Sequence, residues 1–220
     1  MSASISSSSG FTRHTRSDKT RAAILTAAAP IFSTNGLAGA RTEAIASAAH
    51  VNKALLYYYF KSKDDLHRAV IEEHLSEFSR RADEVLHAPG SVRKTLLAFI
   101  GMHFDYLSGI PYYPRLFHRL LVSGGPGLER IARKHLLPVG RQLVQQIERG
   151  IESGELRRVD PVQTVISLFG LTVHYFSAAS FIRLMSNADP YDRKRLAKRK
   201  KEILDFVRFG LFIHPEEPLE

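Results

Sequence analysis

Between Thr42 and Lys63 the chain gathers side chains suited to a charged, hydrogen-bonding partner. Lys53 carries an ammonium that can donate to guanine, and the methyls of Ala54 or Leu55 can touch a thymine methyl. The phenol hydroxyls of Tyr57 and Tyr59 can reach phosphate oxygens while their rings pack. Thr42 offers a hydroxyl at a helix start, where anions are favoured. Lys63 adds a further positive charge, and Asn52 and Tyr58 complete the set. Phe60 reads differently, as a core aromatic. Side chains of these types suit contact with phosphates and base edges, provided that the chain presents them together on one exposed face.

Short helices must position these groups. Ile24, Leu25, Ala28, Ile31 and Phe32 recur at helical spacing. Ser17 or Asp18 is placed to cap that first helix and Gly36 to end it, and Pro30 predicts a bend. Thr42 predicts the start of a second, short helix, its hydroxyl accepting from first-turn N–H groups. Glu43 complements the positive helix end. Ala46, Ala48 and Ala49 supply a small-residue surface on which the next helix can sit close. Four turn residues, His50 to Lys53, lead into a third helix that begins near Asn52. This is a helix-turn-helix, whose second helix must be exposed to enter a major groove about 12 Å wide. A fourth helix is predicted from Ser62, where Asp65 makes a capping-box-like pair, to about His87, with Pro89 and Gly90 beyond it.

Thr42, Ile45, Ala46, Ala49, Val51, Leu56, Tyr57, Tyr59, Phe60, Lys63 and Leu66 stand at fixed spacings. Ile24, Ala27, Ala28, Phe32 and Gly36 precede them in the matching register. Over residues 17–66 the chain resembles the N-terminal unit of TetR-type regulators. The resemblance implies that Thr42, Tyr57, Tyr59 and Lys63 hold the DNA backbone, while Asn52, Lys53, Ala54, Leu55 and Tyr58 lie on or near the exposed face. Two positions depart from the pattern. His50 stands where glycine is usual, and a left-handed residue with a side chain costs about 1 kcal/mol relative to glycine. Asn52 replaces a common serine, and asparagine caps a helix equally well.

After residue 90 the periodicity predicts helices near 91–109, 112–123, 126–153, 161–186 and 191–213, with no alternating strand and no internal repeat. The class is all-α. The domain reading is a disordered basic tail over 1–16, a helix-turn-helix domain over 17–66, and a larger helical domain over 67–214. The resemblance implies that this larger domain holds a small-molecule pocket and a dimer face. Aromatic and imidazole residues concentrate there, and Phe99, His103, Tyr106, Tyr113, His118 and His174 are the candidate pocket residues for an apolar or aromatic effector. The 161–186 helix is apolar nearly all round and must be buried. Phe169, Val173 and Phe176, with Phe206 and Phe209 of the last helix, are the candidate interface of a homodimer. A dimer is favoured because a short helix-turn-helix gains affinity by reading two half-sites of a palindromic operator.

The bulk composition agrees. The 220 residues carry a net charge of +9 at a pI of about 9.9, which favours polyanionic partners. Seven of those charges lie in residues 193–201, and without them the net charge would be +2. That run reads as a solvated helix face. Arg13, His14, Arg16, Lys19 and Arg21, ahead of the first apolar stripe, either reach an adjacent minor groove or form a solvated tail. The absence of cysteine excludes disulfides, thiol catalysis and cysteine-held metals. No nucleophile elbow, phosphate loop or zincin motif occurs, and the ten histidines lack metal-ligand spacing. An enzyme, a metal and a cofactor are therefore not expected. No apolar run reaches the roughly 18 residues of a membrane span, so the reading is a cytoplasmic protein with no membrane partner. The resemblance implies a repressor released from its operator by a small molecule; an activator, or a sequence-blind basic binder of nucleic acid or membrane surfaces, is the alternative.

Overall fold

The computed structural model describes residues 16–217, which form eleven α-helices, with one isolated antiparallel bridge between Leu156 and Phe212. The first four are α1 (Arg16–Gly39), α2 (Thr42–Ala48), α3 (Lys53–Tyr59) and α4 (Lys63–Leu86). Then follow α5 (Val92–Ser108), α6 (Tyr113–Ser123), α7 (Gly125–Ile131), α8 (Leu137–Glu152), α9 (Pro161–Ser177), α10 (Ala179–Ser186) and α11 (Arg193–Leu211). The expected tail, with Arg13 and His14, lies outside the described residues up to residue 15. Arg16, Lys19 and Arg21 belong to α1 and not to a tail. Because the helix has begun by Arg16, neither Ser17 nor Asp18 is its cap.

Local chemistry sets most helix ends in the first half. Pro30 sits on the exposed side of α1 and the backbone stays helical through it. The break falls at Gly36, with φ 68° and ψ 178°, a combination essentially confined to glycine. At α2 the cap position is Arg41, without a side-chain hydrogen bond. Thr42 is the first helical residue, and its buried hydroxyl donates to the Glu43 carboxylate (3.4 Å) instead of capping. The end of α2 is a Schellman motif: Val51 N–H donates to Ala46 O (2.9 Å) and His50 N–H to Ser47 O (3.0 Å). His50 takes the left-handed position, at φ 55°. Asn52 caps α3 by accepting from Leu55 N–H (2.7 Å). Ser62 caps α4 by accepting from Asp65 N–H (3.0 Å), and the Asp65 carboxylate reaches back to Lys61 N–H (3.2 Å).

Ala46 and Ala49 are buried where α2 meets its neighbours, whereas Ala48 faces solvent and takes no part. Ile24, Ala28, Phe32, Ile45, Leu56, Phe60 and Leu66 form the core beneath the turn. By length and composition α1 would qualify as a membrane span, but its apolar stripe is spent against α2, α4 and α6.

α4 continues, about 36 Å long, from this unit into the second half, where it packs on α5, α6 and α8. Two predicted long helices are broken. The 126–153 stretch contains a π turn, Ala132–Leu136, between α7 and α8. The 161–186 stretch bends by 66° between α9 and α10. Along α9 only one face is buried; Val162 and Ile166 are exposed, so the helix is not covered all round.

Candidate DNA interface and ligand cavity

α3 presents its outer face to solvent. Asn52, Lys53, Ala54, Tyr57 and Tyr58 are exposed, Tyr58 at 79 %; Leu55 and Tyr59 are half-buried, and Leu56 and Phe60 anchor the helix from below. The Lys53 ammonium is engaged by the Glu43 carboxylate of α2, which raises the lysine's pKa and lowers that of the glutamate through their hydrogen bond. To reach a base edge Lys53 must leave this partner. Tyr59 donates from its hydroxyl to Ser17 Oγ (3.2 Å), tying α3 to the start of α1. The Lys63 ammonium donates to the carbonyls of Ala38 (3.1 Å) and Ala40 (3.2 Å). It therefore caps the end of α1 from the first turn of α4, a structural contact that charge alone did not reveal. Arg41, exposed directly before Thr42, is a cation that the residue pattern passed over.

In the second half, α4, α5, α6 and α9, with Leu136 of the π turn, enclose a cavity of about 350 Å³. Five candidate pocket residues line it: His103, Tyr106, Tyr113, His118 and His174. Phe99 does not. It lies one turn back on α5, behind His103 (6.0 Å between rings) and Phe169 (6.0 Å), as a supporting ring. Exposed His118, Leu121 and His174 mark the mouth. The rings of Phe78 and Phe169 flank His103 at 4.9 and 5.2 Å.

Polar groups in this wall are few. His103 is buried and its pKa is pushed down to about 3 by desolvation, so it is neutral at ordinary pH. Its Nδ1 lies 3.0 Å from Thr172 Oγ1, which leaves Nε2 as the nitrogen open to another partner. Tyr106 donates to His74 O (2.7 Å). The Tyr113 hydroxyl and Ser177 Oγ are buried with no partner. Ser177 and Thr172 escaped the sequence reading. Thr172 had one signal, as a polar residue in an apolar stretch; Ser177 had none, because the break after α9 was not anticipated.

The candidate dimer residues divide. Val162, Ile166, Phe169, Val173 and Phe176 follow one stripe along α9, but α5, α6 and Tyr191 cover its C-terminal half. Phe169 and Val173 thus face the cavity, and Phe176 is fully buried against Phe104 (5.0 Å). None of the three is available to a second chain as placed here. Phe206 and Phe209 on α11 are exposed. In the 193–201 run, Arg193, Lys194, Arg195 and Lys198 are solvated. Lys200 pairs with Asp105 (2.5 Å), and Arg199 lies over the Tyr175 ring (5.6 Å).

The gap between the two regions is bridged by α6. One side carries Tyr113, Phe117 and Leu121 into the cavity wall. The other packs on α1, where Arg119 Nη1 would lie only 2.6 Å from a Cβ placed on Gly36.

The family model described as bacterial regulatory proteins, tetR family, matches residues 24–70, and that of the YcdC-like protein, C-terminal region, matches residues 71–214. The transcriptional regulator RutR of Escherichia coli K12 is 30% identical over 168 residues, 76% of this chain and 78% of RutR. The transcriptional repressor NicS of Pseudomonas putida is 36% identical over 97 residues, 43% of this chain and 44% of NicS. Bacillus subtilis FadR, solved in complex with stearoyl-CoA, superposes with a TM-score of 0.68 at 21% identity, covering 84% of this chain and 96% of FadR. The helix-turn-helix, the cavity behind it and these matches along the chain agree: the protein belongs to the TetR family and is a DNA-binding transcriptional regulator.

Proposed function

We propose that this chain is a repressor that leaves its operator when a small apolar molecule enters the cavity. The observation that carries this reading is that α6 forms both the cavity wall and the packing surface of α1. A ligand that prefers one placement of α6 biases the placement of α1 and, through it, of α2 and α3. By linkage the loss of DNA affinity cannot exceed the ligand's differential affinity for the two arrangements. NicS, a named repressor, and FadR, seen with stearoyl-CoA, support the two halves of the reading.

In this reading Asn52, Lys53, Ala54, Leu55 and Tyr58 face the bases, and Tyr57, Tyr59, Lys63 and Arg41 face the phosphates. Thr42 contributes least, since its hydroxyl is turned to Glu43. Two copies join through the exposed apolar residues of α9 and α11, Val162, Ile166, Phe206 and Phe209. The dimer works in the cytoplasm on a palindromic site, and it has no catalytic role.

Selection from random duplex DNA with the purified protein, followed by titrations at two salt concentrations, tests the proposal. A palindrome bound by a dimer is the expected result. Salt-sensitive binding without base preference would overturn it, as would a molecule that fills the cavity yet leaves operator affinity unchanged.

A further inference from the structure

The cavity wall carries a specific chemical demand. Among its lining residues there is no lysine, arginine, aspartate or glutamate. His103 stays neutral, and the two other histidines stand at the mouth. An anion placed inside would lose its hydration without gaining a cation. A pure hydrocarbon meets a different objection. The Tyr113 hydroxyl and Ser177 Oγ are buried without partners, although buried polar groups are nearly always hydrogen-bonded. Ser177 does not even donate back to its own helix, as Ser167 of α9 does to Gln163 O (2.9 Å). The Tyr113 ring packs on His74 (5.0 Å) and stacks on Phe117 (5.9 Å). Neither hydroxyl oxygen has accessible surface as placed, so a ligand in the cavity reaches them through a small rotation of the two side chains. Both orphaned donors belong to residues that wall the same cavity.

We propose that the effector is an uncharged, largely apolar molecule with one acceptor oxygen, of the ketone, ester or lactone kind, that takes the hydrogen bonds of Tyr113 and Ser177. At the packing density of protein interiors, a volume of about 350 Å³ holds roughly 12–15 non-hydrogen atoms. This deepens the ligand-responsive reading and rests on it.

Three probes of matched size separate the possibilities: hexanophenone, hexylbenzene and 6-phenylhexanoate, titrated calorimetrically into the full chain. Hexanophenone is expected to bind about fivefold or more tightly than either of the others, the worth of a hydrogen bond to an otherwise orphaned group. Tyr113→Phe should bring hexanophenone down to the level of hexylbenzene while leaving hexylbenzene within twofold, which also shows that the variant is folded. Ser177→Ala should give a smaller loss of the same kind. Equal or tighter binding of the carboxylate overturns the uncharged-acceptor assignment but leaves the cavity as a ligand site. So does a hydrocarbon that matches the ketone, or a Tyr113→Phe loss shared equally by all three probes. If none of the three binds, the assignment falls together with the ligand-responsive reading.

Discussion

The two halves of the molecule use tyrosine in opposite ways. On α3, Tyr57 and Tyr58 stand in solvent on a helix seven residues long, held from beneath by Leu56 and Phe60. In the cavity, Tyr113 is 3% exposed, and its hydroxyl is buried with no partner. The first arrangement leaves polar groups hydrated until a partner arrives, so the fold bears little cost for them. The second holds a dehydrated donor in the folded state, which costs roughly 1–3 kcal/mol unless a ligand supplies the acceptor. An exposed recognition surface can thus be varied residue by residue, whereas a buried one is coupled to stability. Each prediction below sets one region against the other.

The largest effect is expected from pH, and it belongs to the buried half. The folded chain holds His103 neutral down to about pH 3, while the unfolded chain takes up a proton near 6.5. Below pH 6.5 the unfolded state therefore binds more protons, and stability falls as pH falls. From pH 6.5 to 4.5 the loss from His103 alone is about 2 kcal/mol. Burial shifts His67 and His74 in the same direction, and they add to it. Urea denaturation across this range should show the decline, and His103→Gln should flatten it. An unchanged slope in that variant would remove His103 as the source.

The join between the halves comes next. Gly36 holds φ 68° and ψ 178° beneath Arg119. Gly36→Ala should cost about 2 kcal/mol, chiefly from backbone strain, because the guanidinium it would meet can move aside. For a chain of this size that lowers Tm by about 4–8 °C, and the Arg119→Ala background should not rescue it.

On the exposed side the expected changes concern DNA more than stability. Lys53→Ala should relax preference at one base pair of the selected operator by about 1–2 kcal/mol. Lys63→Ala should weaken binding to all sequences and flatten the salt dependence by about one phosphate contact. It should also lower Tm, since it releases the Ala38 and Ala40 carbonyls. Glu43→Ala frees Lys53 from its partner and should tighten binding. Titrations of the operator and its single-base variants read all three.

The N-terminal unit was legible in the sequence because its determinants are local. Asn52, Ser62 and the His50 turn act within a few residues, and an amphipathic stripe needs only its own period. Residue type also pointed to five of the cavity-lining positions. It failed where the answer lay in another element. Phe99 and His103 are one helical turn apart and look alike in sequence; only the placement of α6 and α9 makes one a lining residue and the other its support. Phe176 looked like an interface residue until α5 and Tyr191 covered it. Thr42 looked like a cap, but Arg41 took that position. The bend after Ser177 carries no local glycine or proline signal, whereas the π turn at Ala132–Leu136 has one that the reading passed over: Pro138, which lacks the N–H for the turn before it.

The smallest effect isolates that local logic at one residue. His50 occupies the left-handed position of the Schellman motif with an exposed side chain. His50→Gly removes the Cβ strain, worth about 1 kcal/mol, but gives the unfolded chain more freedom, which returns part of the gain. The net should be a stabilisation of about 0.5 kcal/mol, seen as a Tm rise of about 1–2 °C. Base preference on the selected operator should stay the same, because His50 precedes the exposed face of α3. A changed preference without a change in Tm would mean that the imidazole itself touches DNA, and that this turn was kept for recognition and not merely tolerated by the fold.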